Sequence, residues 1–299
     1  MLPTEVAVKA PILVVGGDSK LGRALIEHWS ERRQPVLATT RRTCCTPNLI
    51  ALDLASDHWS LPAACHAAVL CAAITSQDAC RKSPVSTRKV NVVRTLELAR
   101  RLMDAGVFVV FISTNLVFDG IRPLRKIDDP LCPKTEYGRQ KAEVEVALAQ
   151  SVAPAAVVRL SKVIERELPL FRNWLDGLRA GQPVQAFSNY GCSPAPADLA
   201  VGTIARIAEL RAGGIWQLSA KDDISYEDIA RHFARRLRQD PSLVQPVLGD
   251  LQALEHVPQY TSLDSTKTGT ILERPIPDSR LALDQVFFAQ PGAHQQIER

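Results

Sequence analysis

Aromatic residues are scarce in this chain, at 5% of 299 positions, and no apolar run approaches the roughly 20 residues that a membrane helix requires. Neither charge dominates: 36 lysines and arginines face 32 aspartates and glutamates, a net charge of +4. The one dense basic run, "RHFARRLRQD" (Arg231–Asp240), lacks the aromatic interleaving of a nucleic-acid patch and reads as the solvated face of a helix. Cysteine occurs seven times, an odd count with no CxxC pair and no regular spacing. Cys44 and Cys45 are adjacent and can hardly bridge each other, so free thiols in a reducing compartment are expected. The opening "MLPTEVAVKAPILVVGG" has neither the long apolar core nor the small-residue cleavage site of a secretory signal. A cytoplasmic location without membrane or nucleic-acid partners is the expectation. A G-x-S-x-G elbow and a Walker loop are also missing, which removes hydrolase and NTPase chemistry. His28, His58, His66, His232, His256 and His294 show no HxxxH or HxH spacing, so no metal site is expected.

What is present is an ordinary globular composition, 46% hydrophobic and 23% charged, in a chain long enough for one large or two modest domains. Short apolar runs alternate with helical stretches through the first half. Strands are expected at Pro11–Gly17, Pro35–Thr40, Ala67–Ile74, Val107–Thr114 and Ala155–Val163, with helical patterns after the first, third and fourth. Continuous apolar strands joined through helices predict a doubly wound parallel α/β sheet of the Rossmann type, covered on both faces. After about Lys162 the rhythm breaks, and the stretch from Pro241 onward is proline-rich and reads as irregular. The expected division is a dinucleotide-binding domain over 1–165, with a return to its sheet at about 191–220, and a smaller substrate-binding lobe over 166–299.

The strand ending at Val15 runs into "GGDSKLG" (Gly16–Gly22). A glycine turn between a first strand and a first helix lets the backbone approach a pyrophosphate, and the helix N-terminus supplies N–H donors. Gly16 and Gly22 take the outer positions of G-x-x-G-x-x-G, with Ser19 where the middle glycine is expected. Gly17, Lys20 and Leu21 complete the turn. The second strand ends in Thr40, Arg41 and Arg42, with no acid from Val36 to Pro47; an acid there would bind a ribose 2′-hydroxyl, whereas arginine accommodates a 2′-phosphate. NADP(H) is therefore expected over NAD(H). Asp53 either accepts from the adenine amino group or caps its own turn.

Further along the chain, "FISTNLVFDG" (Phe111–Gly120) closes a buried strand on Ser113 and Thr114, and Tyr137 and Lys141 stand i, i+4 on the following helix. A phenol with a pKa near its ordinary value of about 10 is a poor proton donor at neutral pH. An ammonium beside it stabilises the phenolate. Thr114 lies where ligands bind in open α/β sheets, at the carboxyl end of a central strand, and Ser113 is next to it.

These residues resemble those of the extended short-chain dehydrogenase/reductases, and within them the dTDP-4-dehydrorhamnose reductase group. The group's STDYVFDG is matched by "STNLVFDG" (Ser113–Gly120), its YGxSKxxxE by "YGRQKAEVE" (Tyr137–Glu145), and its ILRTSWVY by "VVRLSKVI". "GCSPAPADLA" (Gly191–Ala200) and "TSLDSTK" (Thr261–Lys267) echo further patterns, so the likeness runs over roughly residues 11 to 270. It implies NAD(P)H-dependent reduction of a keto group on a nucleotide-linked sugar. In that scheme Thr114 orients and polarises the ketone, Tyr137 protonates its oxygen, and Lys141 tunes Tyr137 and holds the nicotinamide ribose. Ala72 and Ala73 line the adenosine side, and Asn91 supports the site. Some relatives carry a magnesium ion at a dimer interface; no acidic cluster here calls for one, and a homodimer stays open.

Departures fall on the sugar side. Asn115 and Leu116 replace the group's Asp-Tyr, Lys162 stands for a tryptophan, and Ala195 for a threonine. Asn115, Lys162 and Ser193 are the positions expected to face the substrate. Two other readings fit the same scaffold: a non-catalytic NADP- or sugar-nucleotide-binding regulatory subunit, and an NAD-dependent sugar-nucleotide epimerase or dehydratase.

Overall fold

The computed structural model describes residues 9–42, 46, 48–56, 58–62, 64–249 and 254–289. Cys44 and Cys45 lie outside them, and the five described cysteines are free thiols. In chain order the elements begin with β1 (Ile12–Val15), α1 (Lys20–Glu31), β2 (Val36–Thr40), β3 (Leu49–Ala51) and β4 (Ala67–Leu70). There follow α2 (Gln77–Lys82), α3 (Pro84–Arg88), a π-helical turn (Lys89–Arg94), α4 (Thr95–Asp104), β5 (Phe108–Thr114), α5 (Glu136–Ala149), β6 (Ala155–Leu160) and β7 (Lys162–Ile164). The rest comprises α6 (Pro169–Arg179), β8 (Val184–Phe187), β9 (Gly191–Cys192), β10 (Pro194–Pro196), α7 (Ala197–Leu210), β11 (Gly214–Leu218), β12 (Ile224–Ser225), α8 (Tyr226–Arg236), β13 (Val244–Val247), α9 (Thr266–Leu272) and α10 (Ser279–Phe287).

The expected doubly wound sheet is there. Seven strands run in the order β11-β6-β5-β4-β1-β2-β3, and the β3–β2, β2–β1, β1–β4 and β4–β5 pairs are parallel. Every residue of β1 and β4 is buried, which is why these strands read as unbroken apolar runs rather than as an alternation. The chain divides into two compact units. The first takes the described residues of Met1–Ser113, Gln140–Val158 and Val201–Ile215; the second takes those of Thr114–Arg139, Arg159–Ala200 and Trp216–Arg299. The core of the first includes Leu13, Val15, Leu70, Leu98, Val109, Phe111 and Val144.

The second unit holds three two-stranded ribbons, β7–β10 and β8–β13 parallel and β9–β12 antiparallel. Its core gathers much of the scarce aromatic material. α6 opens with Pro169 at its first position and buries Phe171, Trp174, Leu175 and Leu178 at i, i+3, i+4 and i+7. Phe171 sits at the centre, with ring centroids 5.4 Å from Trp174, 5.6 Å from Phe233 and 5.7 Å from Phe287. The basic run of α8 is paired in part: Arg231 pairs with Glu227, and both His232 and Arg236 reach Asp284 on α10.

Two expectations need correction. The stretch Ala155–Val163 is two strands rather than one, because Ser161 breaks it. The Ser161 N–H donates to Leu218 of β11 and its hydroxyl to the Ser193 carbonyl, so the chain leaves one sheet there and joins β10 in another. The stretch after Pro241 is not irregular either, since it carries β13, α9 and α10. Those helices have 7 and 9 residues, too short for a clear helical period, and α10 is fixed by its cap, Asp278, which accepts the Leu281 N–H at 2.8 Å.

Truncating the central ring, Phe171→Ala, is expected to cost about 3–5 kcal/mol of stability, read as a lowered midpoint in chemical denaturation; an unchanged midpoint would contradict this account of the second core.

Candidate functional site

The first βα turn is shaped for close approach. Gly16 follows β1 with φ +88°, and a Cβ on it would stand 2.8 Å from the Ala72 nitrogen. Gly22 is required for a similar reason, since its Cβ would meet the Gly16 carbonyl oxygen at 2.4 Å. Ser19, in place of the middle glycine, is the N-cap of α1, and its hydroxyl accepts the Gly22 N–H at 2.9 Å. A hydroxyl that accepts in this way keeps a proton to donate. The turn is fastened to the end of β2, where the Gly16 N–H donates to the Thr39 hydroxyl at 2.9 Å and the Gly17 N–H to the Thr39 carbonyl at 2.8 Å.

Beside the turn lies a cleft of about 370 Å³, within the size range of small-molecule sites. Of the residues expected to hold a cofactor, Gly16, Ser19, Thr40, Arg41, Asp53, Ala72 and Ala73 line it; Gly17, Lys20, Leu21, Gly22 and Arg42 are not among its lining. Asp53 also caps its own turn, accepting the Ala55 N–H at 2.9 Å. Cys71 lines the cleft too, and burial pushes its thiol up to about 12, so it is neutral at physiological pH. Sequence reasoning missed Asp18. Its carboxylate accepts the Thr40 hydroxyl at 2.5 Å, so an acid does reach the end of β2, supplied by the preceding turn rather than by the strand.

Within the same unit, Lys141 is 4% exposed. Its ammonium donates to the Ile112 carbonyl at 2.8 Å and stands 4.5 Å from the centroid of the Phe111 ring. Burial holds its pKa down at about 8, while Cys71, Glu145 and Cys80 pull the other way. At neutral pH the amine is still mostly charged. Ser113, by contrast, is spent structurally, its hydroxyl bonded to Glu145.

Asn91 occupies the π-helical turn, where its amide is fully used. Its Oδ1 accepts the Ile74 N–H at 2.8 Å, and its Nδ2 donates to the Ile74 carbonyl at 2.9 Å and to Gln140 Oε1 at 2.8 Å. Gln140 in turn donates to the Thr87 hydroxyl at 3.0 Å. This buried strut ties the segment after β4 to the residue beside Lys141. Gln140 was also missed; the one sequence signal was that it replaces the serine of YGxSK.

In the second unit Thr114 ends β5 with its hydroxyl accepting the Leu116 N–H at 3.2 Å and 3.4 Å from Asn115 Oδ1. Tyr137, in the first turn of α5, is partly exposed. Gly138 beside it admits the Asn115–Val117 turn, since a Cβ there would stand 2.2 Å from the Leu116 carbonyl oxygen. Lys162 is exposed on β7. Ser193, expected at the substrate, is instead wholly buried: its N–H donates to Thr261, its hydroxyl to the Ala220 and Asp222 carbonyls, and its carbonyl accepts from Ser161. Every polar atom is committed, so it is a framework residue. Among the described residues no group of three or more His, Cys, Asp or Glu is disposed to hold a metal ion, and no helix is long and apolar enough to cross a membrane.

A family model described as RmlD substrate binding domain matches residues 10–290. The chain is 28% identical over 291 residues to dTDP-4-dehydrorhamnose reductase of Streptomyces griseus, covering 94% of each. It is 28% identical over 153 residues to methionine adenosyltransferase 2 subunit beta of Bos taurus, a match over 50% of this chain and 46% of that protein, so that the chain spans about half the length of this relative. Among solved structures, dTDP-4-dehydrorhamnose reductase from Bacillus anthracis in complex with NADP superposes with a TM-score of 0.78 at 17% identity, over 94% of this chain and 98% of that one. At that identity the likeness is one of fold.

The depressed Lys141 pKa fixes a pH signature. Between its folded value of about 8 and the ordinary 10.5 the unfolded chain holds the extra proton, so folding gains stability as pH rises through that window. The difference in unfolding free energy between wild type and Lys141→Met is expected to move in favour of wild type by about 3 kcal/mol from pH 7 to pH 10.5. A difference that stays flat with pH would contradict the burial of a charged amine.

Proposed function

Because the chain belongs to the RmlD substrate binding domain family, we propose that it is an NAD(P)H-dependent reductase of a keto group on a nucleotide-linked sugar, with NADPH the preferred cofactor. The observation that carries the proposal is Lys141: an ammonium held 4% exposed, one helical turn from Tyr137 on α5, serves no packing purpose and suits proton transfer.

The first unit's residues fit a dinucleotide. Gly16 and Gly22 let the turn pack tightly against Ala72 and onto itself, the close approach a diphosphate-binding turn requires, Ser19 keeps a proton to donate, and Ala72, Ala73 and Asp53 line the cleft where they would face the adenosine. Arg41, in the cleft lining, favours a 2′-phosphate, and Arg42 follows it in sequence. When bound, a nicotinamide cofactor supplies the hydride. The remaining work belongs to the chain. Thr114 donates a hydrogen bond to the substrate carbonyl oxygen and fixes its orientation. Tyr137 gives that oxygen its proton, and Lys141, charged at neutral pH, stabilises the phenolate that remains. The nucleotide-sugar portion is assigned to the second unit, where Asn115 and Lys162 stand in place of the residues usual in the group and point to a sugar other than the group's common one.

A second reading, a cofactor-binding regulatory subunit, is favoured by the 28% identity to methionine adenosyltransferase 2 subunit beta. Turnover separates the two. Wild type supplied with NADPH and a dTDP-4-keto-6-deoxyhexose, or with related keto-sugar nucleotides, is expected to consume the cofactor, and Tyr137→Phe to keep NADPH binding while losing roughly 100-fold or more in rate. A native rate in Tyr137→Phe would refute the assigned proton donor; cofactor binding without turnover on any such ketone would favour the regulatory reading.

A further inference from the structure

We propose that Asp18 reads the 2′ position of the adenosine ribose in opposition to Arg41, and that this pair of opposed charges sets the ratio of NADH to NADPH binding. The inference rests on the cofactor reading above and adds a specificity determinant that the sequence of β2 hides.

An acid at the end of the second strand of a dinucleotide fold accepts a hydrogen bond from a ribose 2′-hydroxyl and repels a 2′-phosphate. β2 itself ends in threonines and arginines and offers none. Asp18 reaches that place from the β1–α1 turn. Its Oδ2 accepts the Thr40 hydroxyl at 2.5 Å, and Asp18, Thr40 and Arg41 all line the cleft. Thr40 is locked in this role because its oxygen also accepts the Arg42 N–H at 3.1 Å, which leaves its proton directed to Asp18. Arg23 donates to the Asp18 carbonyl at 2.5 Å. An exposed carboxylate held by one hydroxyl retains lone pairs for a ribose hydroxyl. The same carboxylate stands against a phosphate that Arg41 would attract. The preference is thus the difference between two opposed charges in one cleft.

The test is the ratio of dissociation constants for NADPH and NADH, measured by fluorescence titration on the full chain. Wild type is expected to bind both within roughly tenfold of each other. Asp18→Asn, which keeps the shape and removes the charge, is expected to move the ratio toward NADPH by about tenfold or more, the weight of one hydrogen bond to a charged group. Asp18→Ser should move it the same way, and Arg41→Ala the opposite way. A structural role for Asp18 would weaken both cofactors alike, so a ratio unmoved in Asp18→Asn and Asp18→Ser overturns the proposal. Wild type that binds neither cofactor overturns it differently, by removing the dinucleotide reading beneath it.

Discussion

A lysine ammonium taken out of water is the constraint on which the rest of this molecule turns. Moving the Lys141 pKa from 10.5 to about 8 corresponds to about 3 kcal/mol of destabilised charge at neutral pH. A core would not carry that cost for packing, because methionine fills similar space with no charge. The surroundings soften it without abolishing the charge. The Ile112 carbonyl takes one proton of the ammonium, the Phe111 ring presents its face, and Glu145 lies near enough to favour the charged form. Ser113 is drawn into this arrangement through its bond to Glu145, which explains why the serine of the Ser-Thr pair does not share the role given to Thr114.

The second constraint is distance. Two glycines, Gly16 and Gly22, bring backbone to backbone closer than any Cβ allows, and a third, Gly138, does the same where α5 meets the Asn115–Val117 turn. The Asn91–Gln140 strut then fixes the segment after β4 to α5 through side chains wholly inside the first unit. In the first unit, close approach at the β1–α1 turn together with this buried polar strut yields fixed donors in a cleft, and fixed donors are what a transition state rewards. The second unit relies instead on an aromatic cluster around Phe171, where the chain spends much of its limited aromatic content.

Much of this was legible in the amino-acid sequence, for identifiable reasons. The sheet strands announce themselves because burial on both faces demands unbroken apolar runs, as in "PILVVGG" and "VFVVFIST". The turn glycines and the Tyr137–Lys141 spacing are equally visible, because each geometric need admits few residue types. What stayed hidden depends on partners distant in sequence. Ser193 resembles a pocket serine until Ser161, Ala220, Asp222 and Thr261 are seen to use all its polar atoms. Asp18 looks like an ordinary turn residue until β2 is placed beside it and Thr40 comes within 2.5 Å. The break at Ser161 needed β11 as a partner, and the short helices after Pro241 offered too few turns to show a period.

Reduction of a keto sugar, rather than mere binding of a cofactor, is the activity we propose for this scaffold. Its most direct measurement is product mass after incubating the protein with NADPH carrying deuterium at both C4 positions and a dTDP-4-keto-6-deoxyhexose. The expected result is an alcohol product carrying a single deuterium at the former carbonyl carbon, formed by wild type and absent without the protein. Bound cofactor together with unlabelled, unreduced ketone, across a panel of keto-sugar nucleotides, would contradict it.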